Sequence, residues 1–168
     1  MNHRSLPPLR THSALLALGA ACLALWGSFQ TLADDLQIQA RLVWGTNNPK
    51  PEGSKYTALD AKGREKLRQF KWQNYWVVNQ SASKLDAQKA SMMSLSEKCA
   101  VDVKDLGNGT AEIRLFELKA GTEPKLVKPV HHSISALKKG EYCILAGDDK
   151  AVWDDAWFVI VTAAEAKH

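Results

Sequence analysis

Many common functional signatures are absent from this chain of 168 residues. No run of lysine and arginine is longer than two residues, whereas a nucleic-acid surface usually needs a clustered basic stripe. The sequence contains no Gly-rich phosphate loop, no H-E-x-x-H and no G-x-S-x-G. Those motifs mark nucleotide binding, zinc proteases and serine hydrolases. The absences argue against a nucleic-acid partner and against the most recognisable catalytic sites.

The first 33 residues have the three parts of a secretory signal. Met1 to Arg10 carries two arginines and no acidic residue, Ser13 to Trp26 is apolar, and Gly27 to Ala33 ends in a small residue. The apolar run has 14 residues, fewer than the roughly 20 that a membrane-spanning helix needs. We therefore expect cleavage after Ala33 and a secreted or periplasmic protein. Residues 34–168 form one domain in this reading, which meets the membrane only through the signal.

Two alternatives for this segment remain open. An uncleaved segment would act as a membrane anchor. The tetrapeptide Gly19–Cys22 resembles the box of a bacterial lipoprotein, in which Cys22 would be lipidated.

Removing the signal also removes Arg4 and Arg10, which leaves 20 basic and 18 acidic residues and a net charge of about +2. That balance indicates a solvated surface of mixed charge.

The remaining sequence predicts a mainly β fold with one short helix. Leu36 to Trp44 alternates apolar and polar residues with a period of two, which is typical of a half-buried strand. Thr57 reads as the cap of a helix whose buried side repeats at helical spacing from Leu59 to Phe70. Further strands are predicted at 70–79, 90–95, 99–105, 110–118, 125–135, 142–146 and 157–161, with a loop at 80–88.

Seven or eight short strands separated by turns are typical of an antiparallel β-sandwich. Leu106 to Gly109 predicts a hairpin turn, because Gly and Asn adopt positive φ at little cost. Pro129 lacks an N–H and therefore places its strand at a sheet edge. Trp157 to Val161 is apolar throughout, which predicts a central strand covered on both faces.

A six-residue stretch from Leu137 to Tyr142 resembles the L-x-x-G-x-Y motif of a tyrosine corner, with Gly140 at its fourth position. In Greek-key sandwiches the hydroxyl of that tyrosine bonds to backbone a few residues upstream and fixes a crossing between the sheets. The resemblance implies an immunoglobulin-like Greek-key sandwich. It also implies a structural role for Leu137, Gly140 and Tyr142.

Other segments are similar to parts of small uncharacterised secreted β-rich proteins from bacteria. The resemblance spans most of the predicted mature chain and implies no activity. It is carried by Leu42–Asn47, Phe70–Trp72 with Asn74–Tyr75, and Ser96–Cys99.

Cys99 and Cys143 are the two cysteines that remain after signal removal. Two cysteines in an exported chain suggest a disulfide. It would close a loop of about 45 residues and stabilise the fold by roughly 4 kcal/mol. The alternative is a pair of buried free thiols that pack as small apolar residues. A nucleophilic Cys143 is the third reading, but apolar neighbours raise the pKa of a thiol.

The sequence assigns no catalytic residue and no metal site. His131 and His132 are adjacent on a predicted strand, so their side chains point to opposite faces and do not easily bind one metal. Cys143 in a predicted sandwich resembles the cysteine ligand of the cupredoxin copper site. In that family a His and then a Met follow the cysteine closely in the sequence. Only His168, at the end of the chain, follows Cys143 here, which argues against copper.

An acidic loop surrounds Trp153 and holds Asp148, Asp149, Asp154 and Asp155. Four carboxylates could gather Ca²⁺, although the D-x-D-x-D-G spacing of a calcium loop is missing and a solvated turn is the alternative. An exposed Trp153 beside Asp side chains could also stack on a sugar ring. The other tryptophans of the mature chain are expected in the core, namely Trp44, Trp72, Trp76 and Trp157.

The sequence therefore predicts an exported, non-catalytic binding or structural module of the periplasm or cell envelope. Its partner would be an envelope protein or a polysaccharide, and no cofactor is expected apart from the calcium considered above. The alternative within binding is a carbohydrate-binding module that uses Trp153 and the acidic loop. The rival class is a thiol or metal-dependent enzyme using Cys143 or His131.

Overall fold

The alternating and β-branched segments pair into two antiparallel sheets in the computed structural model, which describes residues 36–86, 89–146 and 155–164. These residues contain nine strands and two short helices. The strands are β1 Gln37–Thr46, β2 Thr57–Ala58, β3 Asn74–Lys84, β4 Ser91–Ser96, β5 Cys99–Asp105, β6 Thr110–Glu117, β7 Lys125–Ser133, β8 Cys143–Ala146 and β9 Asp155–Ala163. The helices are α1 Ala61–Lys66 and α2 Ile134–Lys138.

The five-stranded sheet has the order β2-β3-β1-β9-β8, and the four-stranded sheet has the order β4-β5-β6-β7. The second sheet is a meander, because each of its strands pairs with the next one along the chain. The prediction of a mainly β chain with antiparallel sheets is confirmed. The described residues hold one strand more than the upper predicted number and two short helices where one was predicted, and the Greek-key, immunoglobulin-like order is not confirmed.

An apolar cluster fills the space between the two sheets. The period-two pattern of β1 turns Ile38, Ala40 and Leu42 towards it, as the sequence predicts. The four-stranded sheet contributes side chains such as Val101 and Ile113, which are fully buried. Burial of this kind stabilises a fold by about 25 cal/mol for each Å² of apolar surface removed from water.

A second apolar cluster lies on the other face of the five-stranded sheet. The segment that contains α1 covers this face with Leu59, Leu67 and Trp72. Strand β9 serves both clusters, since Phe158 and Ile160 belong to the outer one and Val159 and Val161 to the one between the sheets. The prediction of a central strand covered on both faces is confirmed.

The predicted buried side of the helix is confirmed, but the predicted N-terminal cap residue is wrong. Thr57 does not cap the helix, because it pairs with Val77 as part of β2. The cap is Asp60, whose carboxylate accepts a hydrogen bond of 2.7 Å from the amide of Gly63. Leu59, Gly63 and Leu67 are buried as their spacing predicts.

The predicted boundaries of β3 and β7 are also wrong. Strand β3 begins at Asn74 and continues to Lys84, into the first part of the predicted loop, because its polar second half pairs with the first half of β1. The strand predicted at 125–135 stops at Ser133, whose hydroxyl accepts from the amide of Ala136 and caps α2. Pro129 lies on β7, at the edge of its sheet, as predicted.

Candidate ligand-binding site

The two cysteines are free thiols in opposite sheets. Both contact the apolar cluster between the sheets, where Cys143 is buried and Cys99 is partly buried. The expected disulfide is therefore not present, and the alternative of two free thiols is the one that the structure shows. Burial raises the pKa of both thiols, and the charge of Lys128 opposes this only in part at Cys143. Raised pKa values make both thiols weak nucleophiles at neutral pH.

The histidine pair lies on β7 with its two side chains on opposite faces, as predicted. His131 is exposed and its Nε2 lies 3.6 Å from Glu112 Oε1, while the Nε2 atom of His132 is buried without a hydrogen-bond partner. In the part of the chain that the structure describes, no group of three His, Cys, Asp or Glu side chains could hold a metal ion.

The hydrogen bond expected of a tyrosine corner is replaced by a different contact. The hydroxyl of Tyr142 donates to the carboxylate of Asp60 at 2.9 Å, not to backbone a few residues upstream. Leu137 is buried in α2, and Gly140 adopts a φ of 75° after the helix ends. Tyr142 therefore links the start of β8 to the cap of α1, a contact that differs from the predicted one.

A polar cluster forms around this contact on the outer face of the five-stranded sheet. Arg41 pairs with Asp60 and lies over the ring of Tyr142, and Lys62 donates to the carbonyl of Gly140. Burial raises the pKa of Asp60, but the Gly63 amide, Arg41 and Tyr142 outweigh it, so the net pKa is lowered. These contacts join the cap of α1 to β1 and to the chain just before β8, which indicates that the cluster attaches α1 to the sheet.

The acidic loop lies mostly outside the described residues. Asp148, Asp149, Trp153 and Asp154 are among the residues that the structure does not describe, so the calcium and sugar predictions stay predictions at those positions. Asp155 is described and begins β9. One of its carboxylate oxygens accepts a hydrogen bond of 2.9 Å from the indole N–H of Trp44.

An opening with mostly apolar walls lies between the two sheets. We call it the inter-sheet pocket; its volume is about 580 Å³. Aliphatic side chains from both sheets form its walls, and the turn between β4 and β5 contributes polar residues. It is lined by Leu42, Val78, Leu115, Leu145, Val159, Phe158 and Trp157 together with Ser96, Glu97, Lys98 and Cys99.

A β-bulge brings one wall of this pocket into place. Leu42 pairs with Asn79 and Val43 pairs with Val77, which leaves Val78 as the extra residue of β3. A bulge leaves its extra residue unpaired and turns the strand locally. Val78 lines the inter-sheet pocket, whereas Val77 packs in the outer cluster.

Three tryptophans lie side by side across the five-stranded sheet, and we call them the tryptophan row. The strand registers place Trp76 opposite Trp44 and Trp44 opposite Trp157, so all three project from one face. The rings of Trp44 and Trp157 are stacked, with centroids 6.3 Å apart, and Tyr56 meets Trp44 edge-on. Trp157 is 45% exposed, which corrects the expectation that it lies in the core.

Sequence reasoning missed both the inter-sheet pocket and the tryptophan row. The row depends on the register between strands that are far apart in sequence, and the pocket depends on side chains from both sheets. The available signal was the pair of tryptophans at Trp44 and Trp157, at the end of one predicted strand and the start of another. Their residue type is enriched at binding surfaces because it combines a large apolar ring with a polar N–H.

The chain matches no protein-family model, no curated protein and no solved structure. The resemblance to small secreted bacterial proteins therefore stays a prediction. None of the helices in the described residues is long and apolar enough to cross a membrane.

Proposed function

We propose that this protein is a non-catalytic binding module that holds a small apolar ligand in the inter-sheet pocket. The observation that supports this most directly is the pocket itself, which opens between the two sheets and is lined mainly by aliphatic and aromatic side chains. Its volume of about 580 Å³ falls within the range of about 300–1,000 Å³ that small-molecule sites occupy.

The chemistry of the surrounding residues favours binding over catalysis. Cys99 lines the pocket, and burial raises the pKa of its side chain, so it is held as the unreactive thiol. A thiol enzyme needs a base within hydrogen-bond reach, and Cys99 and Cys143 form no hydrogen bond with a base in the described residues. The thiol-enzyme alternative therefore receives no support from the geometry.

Calorimetric titration of the purified protein with 1-octanol tests the proposal. We expect saturable binding at one site with a negative heat-capacity change, which is the marker of apolar burial. Bound octanol should also slow the alkylation of Cys99, because that side chain lines the pocket. Absence of saturable binding, or of protection at Cys99, would contradict the proposed function.

Carbohydrate recognition is the second candidate. A specific observation favours it: Trp157 is half-exposed, it stacks on Trp44, and Trp44 is fixed by Asp155. A flat aromatic ring beside a carboxylate offers a sugar both a stacking surface and a hydrogen-bond acceptor. Titration with soluble polysaccharides, followed by tryptophan fluorescence, tests it, and a flat response across a broad panel would contradict it.

We further propose that the module works outside the cytoplasm, as its N-terminal signal predicts. The support is the three-part pattern of residues 1–33. An intact mass of the exported protein that begins at Asp34 would support cleavage after Ala33. A mass that includes a lipid on Cys22 would contradict it. The partner in the envelope, protein or polysaccharide, stays a prediction.

A further inference from the structure

The inter-sheet pocket and the exposed part of the tryptophan row share one residue. Trp157 lines the pocket, and the same residue stacks on Trp44 and keeps 45% of its surface exposed. A ligand that filled the pocket could therefore continue onto the ring of Trp157 without leaving the protein surface. The two features would then be two halves of one site.

The half of this site beyond the pocket offers a carboxylate beside aromatic rings. Asp155 holds the indole N–H of Trp44 with one carboxylate oxygen, and no described residue uses its other oxygen. A carboxylate can accept several hydrogen bonds at once. An accepting oxygen next to an exposed indole ring suits a group that has both an apolar face and hydroxyl donors, and a sugar ring is such a group.

The charges at the pocket opening indicate that this group is neutral. Glu97 and Lys98 are adjacent in the turn between β4 and β5, and both line the pocket. Both are exposed, and neither forms an ion pair with another described residue. Their opposite charges cancel, so this turn selects neither an anionic nor a cationic head group.

We propose that the ligand is an amphiphile with a neutral saccharide head and an aliphatic tail, as in a glycolipid. The tail occupies the inter-sheet pocket, and the head stacks on Trp157 and donates a hydroxyl hydrogen bond to Asp155. This inference rests on the proposed function, because it requires that the pocket binds an apolar group. It adds the chemical class of the ligand and identifies Trp157 as the residue on which the saccharide head stacks.

Three matched probes separate the contributions of head and tail. We would titrate the protein with octyl β-glucoside below its micelle concentration, with 1-octanol as the tail alone, and with methyl β-glucoside as the head alone. Octyl β-glucoside should bind at least about ten-fold tighter than 1-octanol, a difference of about 1.4 kcal/mol. Methyl β-glucoside should bind more weakly than either.

A substitution at the shared residue locates the head. Trp157→Leu keeps an apolar wall for the pocket but removes the stacking ring. It should abolish the advantage of octyl β-glucoside over 1-octanol and change the affinity for 1-octanol by less than about two-fold. The control is Phe116→Leu, on the opposite face of β6 from the pocket-lining Leu115, which should change neither affinity.

The outcomes distinguish this inference from the proposed function. If 1-octanol binds but the glucoside binds no tighter, or if Trp157→Leu leaves the advantage intact, the saccharide head is wrong and the proposed function stands. If neither 1-octanol nor octyl β-glucoside binds, both are wrong. If methyl β-glucoside binds as tightly as octyl β-glucoside, the tail has no site and the proposed function is wrong as well.

Discussion

At the scale of single residues, Gly63 lies where helix α1 meets the outer apolar cluster. A Cβ at this position would lie 2.8 Å from Cγ of Leu59, which is 1% exposed. Leu59 is held in the cluster with Leu67 and Phe158, so it cannot move away freely. The glycine therefore permits the close approach of the helix to the preceding chain, and the cost in helix propensity is offset by packing.

Gly63→Ala should destabilise the protein for this reason. Alanine would gain about 1 kcal/mol from helix propensity, but crowding in a packed core costs about 1–3 kcal/mol. The expected net loss is up to about 2 kcal/mol in the free energy of unfolding, measured by urea denaturation. Arg64→Ala, at an exposed position of the same helix, should stay within about 0.5 kcal/mol. A more stable Gly63→Ala protein would contradict the packing argument.

The side chain of Asp60 contacts residues from several elements. Its carboxylate caps α1 through the amide of Gly63, pairs with Arg41 on β1 and accepts from Tyr142 next to β8. The net pKa of Asp60 in the folded protein is lowered. Its charge therefore contributes stability above the unfolded pKa, and that contribution is lost as pH falls through the folded pKa.

Asp60→Asn tests this pH dependence while keeping a side chain that can cap the helix. At pH 7 the substitution should reduce the free energy of unfolding by about 1 kcal/mol or less, because the carboxylate is 42% exposed and screened by water. The difference from the unsubstituted protein should shrink on acidification and vanish below the folded pKa. Urea denaturation at a series of pH values measures it. A difference that is constant with pH would rule out the charge as its cause.

At the scale of elements, β5 and β6 are joined by a buried ion pair as well as by their hairpin. Asp102 and Arg114 lie directly opposite each other, and the guanidinium donates two hydrogen bonds of 2.8 and 2.6 Å to the carboxylate. The residue Asp102 is only 3% exposed, whereas the Arg114 side chain is 32% exposed. Loss of Arg114 would thus leave a buried carboxylate without its partner.

Arg114→Met should destabilise the protein by about 2–4 kcal/mol, since breaking a buried ion pair on one side leaves an uncompensated charge. The double substitution Asp102→Leu with Arg114→Met should recover most of that loss, because it removes both charges. Urea denaturation of both single variants and the double variant gives the coupling free energy. A double variant as unstable as the sum of the single ones would contradict this reading.

The same hairpin shows which elements the sequence could predict. Strand β5 has the predicted bounds, and its turn has Gly107 and Gly109 at positive φ, because both features follow from neighbouring residues. The start of α1 and the length of β3 depend instead on pairing with distant residues, such as Thr57 with Val77 and Lys84 with Gln37. Local chemistry does not encode such partners, so the predictions there were wrong.

At the scale of the whole molecule, the five-stranded sheet separates two apolar clusters. One face packs against the segment around α1, and the other packs against the four-stranded sheet. The second contact is incomplete near Leu115 and Trp157, where the inter-sheet pocket opens. Because the two walls come from strands that are distant in sequence, residue patterns alone could predict a sandwich but not this opening.

Binding of an apolar ligand in the inter-sheet pocket is tested most directly by a matched pair of variants. Leu115 lines the pocket, and its neighbour Phe116 lies on the other face of β6. Calorimetric titration with 1-octanol would be compared between Leu115→Trp, which adds bulk inside the pocket, and Phe116→Trp, which adds bulk outside it. We predict that Leu115→Trp weakens binding by at least about ten-fold and that Phe116→Trp binds like the unsubstituted protein. Equal binding by both variants would contradict the claim.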